Sequence, residues 1–260
     1  MSGLSNHALE LTGLAGDPCS AVHRLDPRAK IIGLLGVTIL AVSTPLAHWP
    51  VFLACVAVLA AYASVARVRP GALWRRVRLV LPLVLLAGVL LPFVRSGGDA
   101  LEIGPLTVHT AGLVIFATLA AKATIGTLSA ALLSATTTFP AVLRGLEAMR
   151  LPRLLVLIAA FMYRYLFVIA GEAGRMRAAL LSRGYSPRHA LHAGPTGRVA
   201  SALFLRTYAR GERVYLAMLA RGYRGAMPQL VPLSFGRSDA AFVALVLLAV
   251  LPLRVIGAAP

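Results

Sequence analysis

Acidic residues are scarce in this chain: nine Asp and Glu stand against 26 Lys and Arg, for a formal net charge of +17. The nine are scattered, and none forms a carboxylate pair inside an apolar run, which argues against an ion-driven transporter with its own proton relay. Lysine is rarer still. Only Lys30 and Lys122 occur, each after Ala, so there is no Gly-rich loop ending in Gly-Lys-Ser/Thr and no nucleotide is held by that device. Cysteine is limited to Cys19 and Cys55, without metal or redox spacing, which argues against disulfides and thiolate zinc sites. Neither a His-Glu-x-x-His helix nor a Gly-x-Ser-x-Gly elbow is present. His189 and His192 could share a helix face, but a metal site needs more ligands than two. The first 22 residues hold two acids, no Lys or Arg and no sustained apolar core, so no cleavable signal is expected.

What the chain does have is apolar sequence. It is 58% hydrophobic and 13% charged, with a mean hydropathy of +0.80, which points to an all-α polytopic membrane protein. A pI near 11.5 would raise nucleic acid as a partner. The basic residues instead alternate in blocks with long apolar segments, as they do at the cytoplasmic ends of membrane spans, so the bilayer and not nucleic acid is the expected partner. Of the 26 basic residues 24 are Arg, the side chain whose fork matches a carboxylate.

In order along the chain, Asp26 is placed to cap a first helix, with Pro27 at its first position and Arg28 and Lys30 able to reach headgroups. Spans are expected at about Ile31 to Thr44, Val51 to Val65, Leu79 to Val94 (bent at Pro82 and Pro92), Ala111 to Ser134 and Asp239 to Val255. The loop with Arg67, Arg69, Arg75, Arg76 and Arg78 reads as cytoplasmic, and the loop Ser96 to Thr110, without Lys or Arg, as external. A cytoplasmic N-terminus and five spans then put the C-terminus outside. Lys122 falls within the fourth span, where an ionisable residue is either functional or paired with a carboxylate or helix end.

Composition divides the chain into residues 1–143, 144–237 and 238–260. From Arg144 to Arg237 there are 15 Arg and only Glu147, Glu172 and Glu212 as acids. Leu154 to Ala170 is apolar enough to span, but spanning would put Arg164 in mid-membrane and Arg175, Arg177 and Arg183 outside. This stretch is therefore expected to pack on the bundle or lie in the interface. Beyond a hinge at Gly194-Pro195-Thr196-Gly197, a second long helix should run to Arg221.

Within this block one phrase occurs twice. Arg175, seven residues, then Arg183-Gly184-Tyr185 is answered 38 residues later by Arg213, seven residues, then Arg221-Gly222-Tyr223. Each copy reads as a helix closed by its Gly, with an Arg where the carbonyl end of the dipole favours a cation. Two equivalent helix ends suggest two equivalent partners, with Arg183 and Arg221 as contacts and Arg175 and Arg213 bracing the helices or pairing across them.

The opening HRLDPRAK, the TTTFP stretch at Thr136 to Pro140, the Leu151-Pro152 step and above all the paired endings resemble the transmembrane T component of energy-coupling factor transporters, cobalt-type subgroup. That family usually writes Ala-Arg-Gly. Ala220-Arg221-Gly222 fits, and Ser182-Arg183-Gly184 departs by one small residue. The resemblance implies two long coupling helices that dock into two ABC-type ATPase subunits, and a substrate-capture membrane subunit packed on the same scaffold. It also implies a bacterial or archaeal cell membrane, ATP bound only by the partner chains, and no catalysis or cofactor in this one. Nickel or vitamin uptake, a lipid-phosphate enzyme and a passive scaffold stay open as alternatives.

Overall fold

A computed structural model of the chain describes residues 20, 22–45, 48–94, 100–103, 106–185, 193–225 and 235–257. Its elements in chain order are α1 (Pro27–Ser43), α2 (Trp49–Val65), α3 (Pro70–Val94), β1 (Ala100–Ile103), β2 (Leu106–His109), α4 (Thr110–Thr136), α5 (Phe139–Ala148), α6 (Arg153–Ser182), α7 (Ala193–Ala220) and α8 (Arg237–Gly257). They form two units, Met1–Ala148 with Leu233–Pro260, and Met149–Pro232. Residues 144–148, assigned by composition to the basic block, thus complete α5 and belong to the first unit.

The first unit is a helical bundle in which α1 touches α2, α4, α5 and α8. Asp26 caps α1 as expected, accepting from the Arg28 N–H at 2.8 Å, with Pro27 following it. Lys30, Leu34, Val37 and Ala41 are buried along one side of α1, at the spacing of one helical face. The other side is just as apolar: Leu35, Ile39 and Val42 are exposed, as are Leu53, Val56 and Val65 on α2. A bundle apolar inside and out is suited to lipid and not to water. Two glycines permit its close contacts. A Cβ on Gly33 would lie 2.9 Å from the Phe242 ring, and one on Gly88 would overlap Phe116.

Three local expectations change in this unit. Lys30 does not reach for headgroups. It is 2% exposed and donates to the carbonyls of His23 and Thr136, each at 3.2 Å. The HRLDPRAK and TTTFP segments therefore meet at a buried polar junction. There Asp239 accepts the Asp26 N–H through one oxygen and the Gly236 N–H through the other, both at 2.8 Å, and Tyr62 pairs with the Thr136 hydroxyl at 2.9 Å. Second, α3 begins at Pro70 and carries Arg75, Arg76 and Arg78 in its first turns, since Pro suits a first helical position and Arg propagates a helix well. Third, the segment read as an external loop contains an antiparallel hairpin pairing Ala100 with His109 and Ile103 with Leu106. Its alternation of Leu101, Ile103, Leu106 and Val108 with polar residues is a strand pattern. Lys122 bonds the Val42 carbonyl at 2.7 Å, near the end of α1, where a cation is favoured.

The second unit consists of α6 and α7. Gly194 to Gly197 do not form a hinge; they fall in the first turns of α7. Along α6 Val156 is buried and several residues are half-buried, while Leu154, Ile158, Met162 and Leu166 repeat every fourth residue on the outside. Among the described residues Val114–Thr136 and Arg153–Ser182 are long and apolar enough to cross a membrane.

Candidate docking site

The ends of α6 and α7 are built by the same local chemistry. At the end of α6 the Gly184 N–H bonds the Leu181 carbonyl at 3.0 Å and the Tyr185 N–H bonds Leu180 at 3.2 Å. At the end of α7 the Gly222 N–H bonds Leu219 at 2.9 Å and the Tyr223 N–H bonds Met218 at 3.0 Å. This nested pair of bonds requires a left-handed residue at the glycine. Gly184 and Gly222 have φ of +77° and +80°, a conformation that costs an ordinary L residue about 1–2 kcal/mol. Immediately before the glycines, Arg183 and Arg221 are exposed, next to carbonyls that favour a cation. Ser182 and Ala220 precede them, also exposed. Leu181 and Leu219, two residues before each Arg, are 54% and 44% exposed. Each tip therefore exposes a guanidinium and, two residues earlier, an apolar side chain.

The helices that carry the tips are linked through Glu172. Its two oxygens are divided between helices: Arg175 donates to one from the next turn of α6, and Arg206 donates to the other from α7 at 2.7 Å. These two guanidinium hydrogen bonds, Arg175 first, hold the Glu172 carboxyl below its ordinary range. Tyr185 and Thr196 hydroxyls pair at 3.1 Å, so the contacts run in opposite order and the helices are antiparallel. From the Glu172 crossing the α6 tip lies about 15 Å away and the α7 tip about 21 Å away along their own axes, in opposite directions, at 1.5 Å per residue. Beside the crossing is an open hollow of about 410 Å³ lined by Glu172, Leu205, Arg206, Ala209, Arg210 and Arg213.

Of the residues expected to brace the helices, Arg175 shares Glu172 but stays within α6. Arg213 lines the hollow and makes no ion pair with a described residue. The pairing across is made by Arg206, which the sequence pattern did not single out. The available signal was Glu172 itself, one of two acids among residues 149–232. The described residues contain no cluster of three metal-ligating side chains; His189 and His192 lie outside them.

Residues 19–232 match the cobalt transport protein family. The chain belongs to that family. It is a cobalt-type transmembrane T component of the energy-coupling factor transporters, a transport component of prokaryotic membranes. A putative fused cobalt transport protein, CbiMQ, of Methanocorpusculum labreanum is 30% identical over 224 residues, 80% of this chain and 36% of that protein. The chain thus spans about a third of the length of that fused relative. The cobalt transport protein CbiQ of Rhodobacter capsulatus is 31% identical over 197 residues, 75% of this chain and 78% of its own. The energy-coupling factor transporter transmembrane protein EcfT of Acidaminococcus fermentans is 26% identical over 237 residues, 85% of this chain and 87% of its own.

Proposed function

We propose that this T component couples two ABC-type ATPase subunits to a substrate-capture membrane subunit, and that the imported ion is cobalt. The observation that carries the reading is the pair of identically closed helix ends, each with an exposed Arg and Leu, on antiparallel helices joined at Glu172. Two like tips facing opposite ways suit two like subunits, and a pair joined at one crossing can be tilted as a unit when those subunits approach each other. The energy source resides in the partners, because this chain has no phosphate-binding loop. Cobalt is supported by the family description and by the named function of two relatives.

The tip arginines test the reading. Truncating a desolvated Arg at an interface costs about 2 kcal/mol or more, and reversing its charge costs further. Arg221→Glu should weaken co-purification of the ATPases and abolish ATP-dependent uptake of labelled cobalt, and adding Arg183→Glu should remove what binding is left. Normal assembly and uptake in the double variant would overturn the proposal. Uptake of nickel in place of cobalt by the intact assembly would overturn only the choice of ion.

A further inference from the structure

The repeated phrase changes sign at one position. With the 38-residue offset Arg175 answers Arg213 and Arg183 answers Arg221, but Glu172 answers Arg210. On α6 that place holds the carboxylate that takes up Arg175 and Arg206. On α7 it holds a cation. Arg210 and its neighbour Arg213 form no ion pair with a described residue. Both face the hollow of about 410 Å³, whose one carboxylate is already shared by two other arginines. Residues 149–232 contain thirteen Arg and two Glu, a net +11, and the second acid, Glu212, forms no ion pair with a described residue.

We propose that Arg210 and Arg213 form a second docking point, on the α7 arm alone, for an acidic side chain of the polypeptide partner that engages the Arg221 tip. The inference rests on the docking reading given above and adds an asymmetry to it. Three observations select this occupant. Arg210 precedes Arg221 by eleven residues, so at 3.6 residues per turn it returns to within about 20° of the same face, about 16 Å back along the axis. A partner surface lying on the tip therefore extends along the helix to the hollow. Leu205 and Ala209 line the hollow with the arginines, giving the stem of an Asp or Glu apolar walls and its carboxylate two guanidinium forks. The Glu172 carboxylate on the opposite wall disfavours a phosphate monoester, which carries more charge than a side-chain carboxylate; a lipid phosphodiester, with a single charge, is separated from a carboxylate by the crosslinking test below. On this account the two tips bind alike at Arg183 and Arg221, whereas only α7 has a second grip. The two arms then hold two like ATPase subunits with unequal affinity.

The test uses the full chain, purified with co-expressed ATPase subunits and capture subunit and placed in nanodiscs of mixed phosphatidylcholine and phosphatidylglycerol. A photo-crosslinking residue is introduced at Ala209 in one preparation and at Tyr223 in another, and the adducts are mapped by mass spectrometry. The expected result at position 209 is a peptide of a partner subunit containing Asp or Glu, with the yield falling about tenfold in Arg210→Gln/Arg213→Gln. The adduct at position 223 should persist in that variant, which shows that the assembly is intact. A lipid adduct at 209, no adduct there, or a yield indifferent to the two substitutions overturns the inference while a captured ATPase at 223 leaves tip docking standing. If position 223 captures no ATPase, the docking reading itself fails.

Discussion

Single residues carry much of this architecture, and Asp239 is the most exposed to test. It is 4% exposed and satisfies two backbone donors from two chain segments, the Asp26 N–H and the Gly236 N–H. A buried donor left without an acceptor costs about 1–3 kcal/mol. Asp239→Ala should therefore destabilise the chain by about 2–4 kcal/mol, seen as a lower melting temperature in detergent, and Asp239→Asn, which keeps one acceptor oxygen, should lose about half of that. The tip glycines are a different case, because a Cβ on Gly184 or Gly222 meets nothing within 4 Å. Only the backbone objects to a side chain there. Gly222→Ala should cost about 1 kcal/mol at that helix end and reduce ATPase co-purification, while Gly222→Asn, which tolerates the left-handed region, should retain more of it. If Ala and Asn behave alike, the turn is not what positions Arg221. Both glycines were legible in the sequence, since an Arg-Gly stop at helical spacing is a local signal. The burial of Lys30 was not. Its partners are carbonyls of His23 and Thr136, and a backbone acceptor 106 residues away leaves no trace in composition or period.

At the level of elements, helices with long apolar runs were legible to within a few residues, as in α1, α2, α4 and α8. Two of the departures share a cause: polar residues that read as loops lie where backbone pairing or helix propensity prevails. The first turns of α3 with three Arg and the hairpin with Glu102 are both of this kind. The α6–α7 crossing is a harder case, because Glu172 and Arg206 lie 34 residues apart and only the fold brings them together. That crossing has a pH signature. A carboxyl whose folded pKa is depressed contributes above the ordinary glutamate range and loses its contribution as pH falls through the lowered folded value. Arg175 and Arg206 hold Glu172 down in this way, so the brace is intact at neutral pH and weakens only at pH below the ordinary glutamate range. Amide hydrogen exchange in α6 and α7 should accelerate there, and Glu172→Gln should bring the same acceleration to neutral pH. The charge swap Glu172→Arg with Arg206→Glu should partly reverse it. A swap no better than the single substitution would mean that Arg206 contributes charge to the unit but no specific brace.

For the molecule as a whole the decisive question is on which side of the bilayer the tips lie, and α6 makes it a real one. By length and composition Arg153–Ser182 qualifies as a span. If it crossed, Arg164 would sit near the bilayer centre at a cost of about 2.5–3.5 kcal/mol, and the ten arginines from Arg175 to Arg224 would all be translocated. The positive-inside bias opposes that outcome strongly. The exposed Leu154, Ile158, Met162 and Leu166 stripe is satisfied equally well by an interfacial helix that buries one face in the headgroup boundary. Docking to ATPases also requires the cytoplasmic side, because ATP is there. Single cysteines at Tyr185 and Tyr223, in a chain with Cys19 and Cys55 replaced, should resist a membrane-impermeant maleimide in intact cells and react once the cells are opened. A cysteine at Thr107, on the hairpin between α3 and α4, should react in intact cells. Labelling of both tips from outside would make α6 a true span and remove the ATPases from reach, whatever the tips resemble.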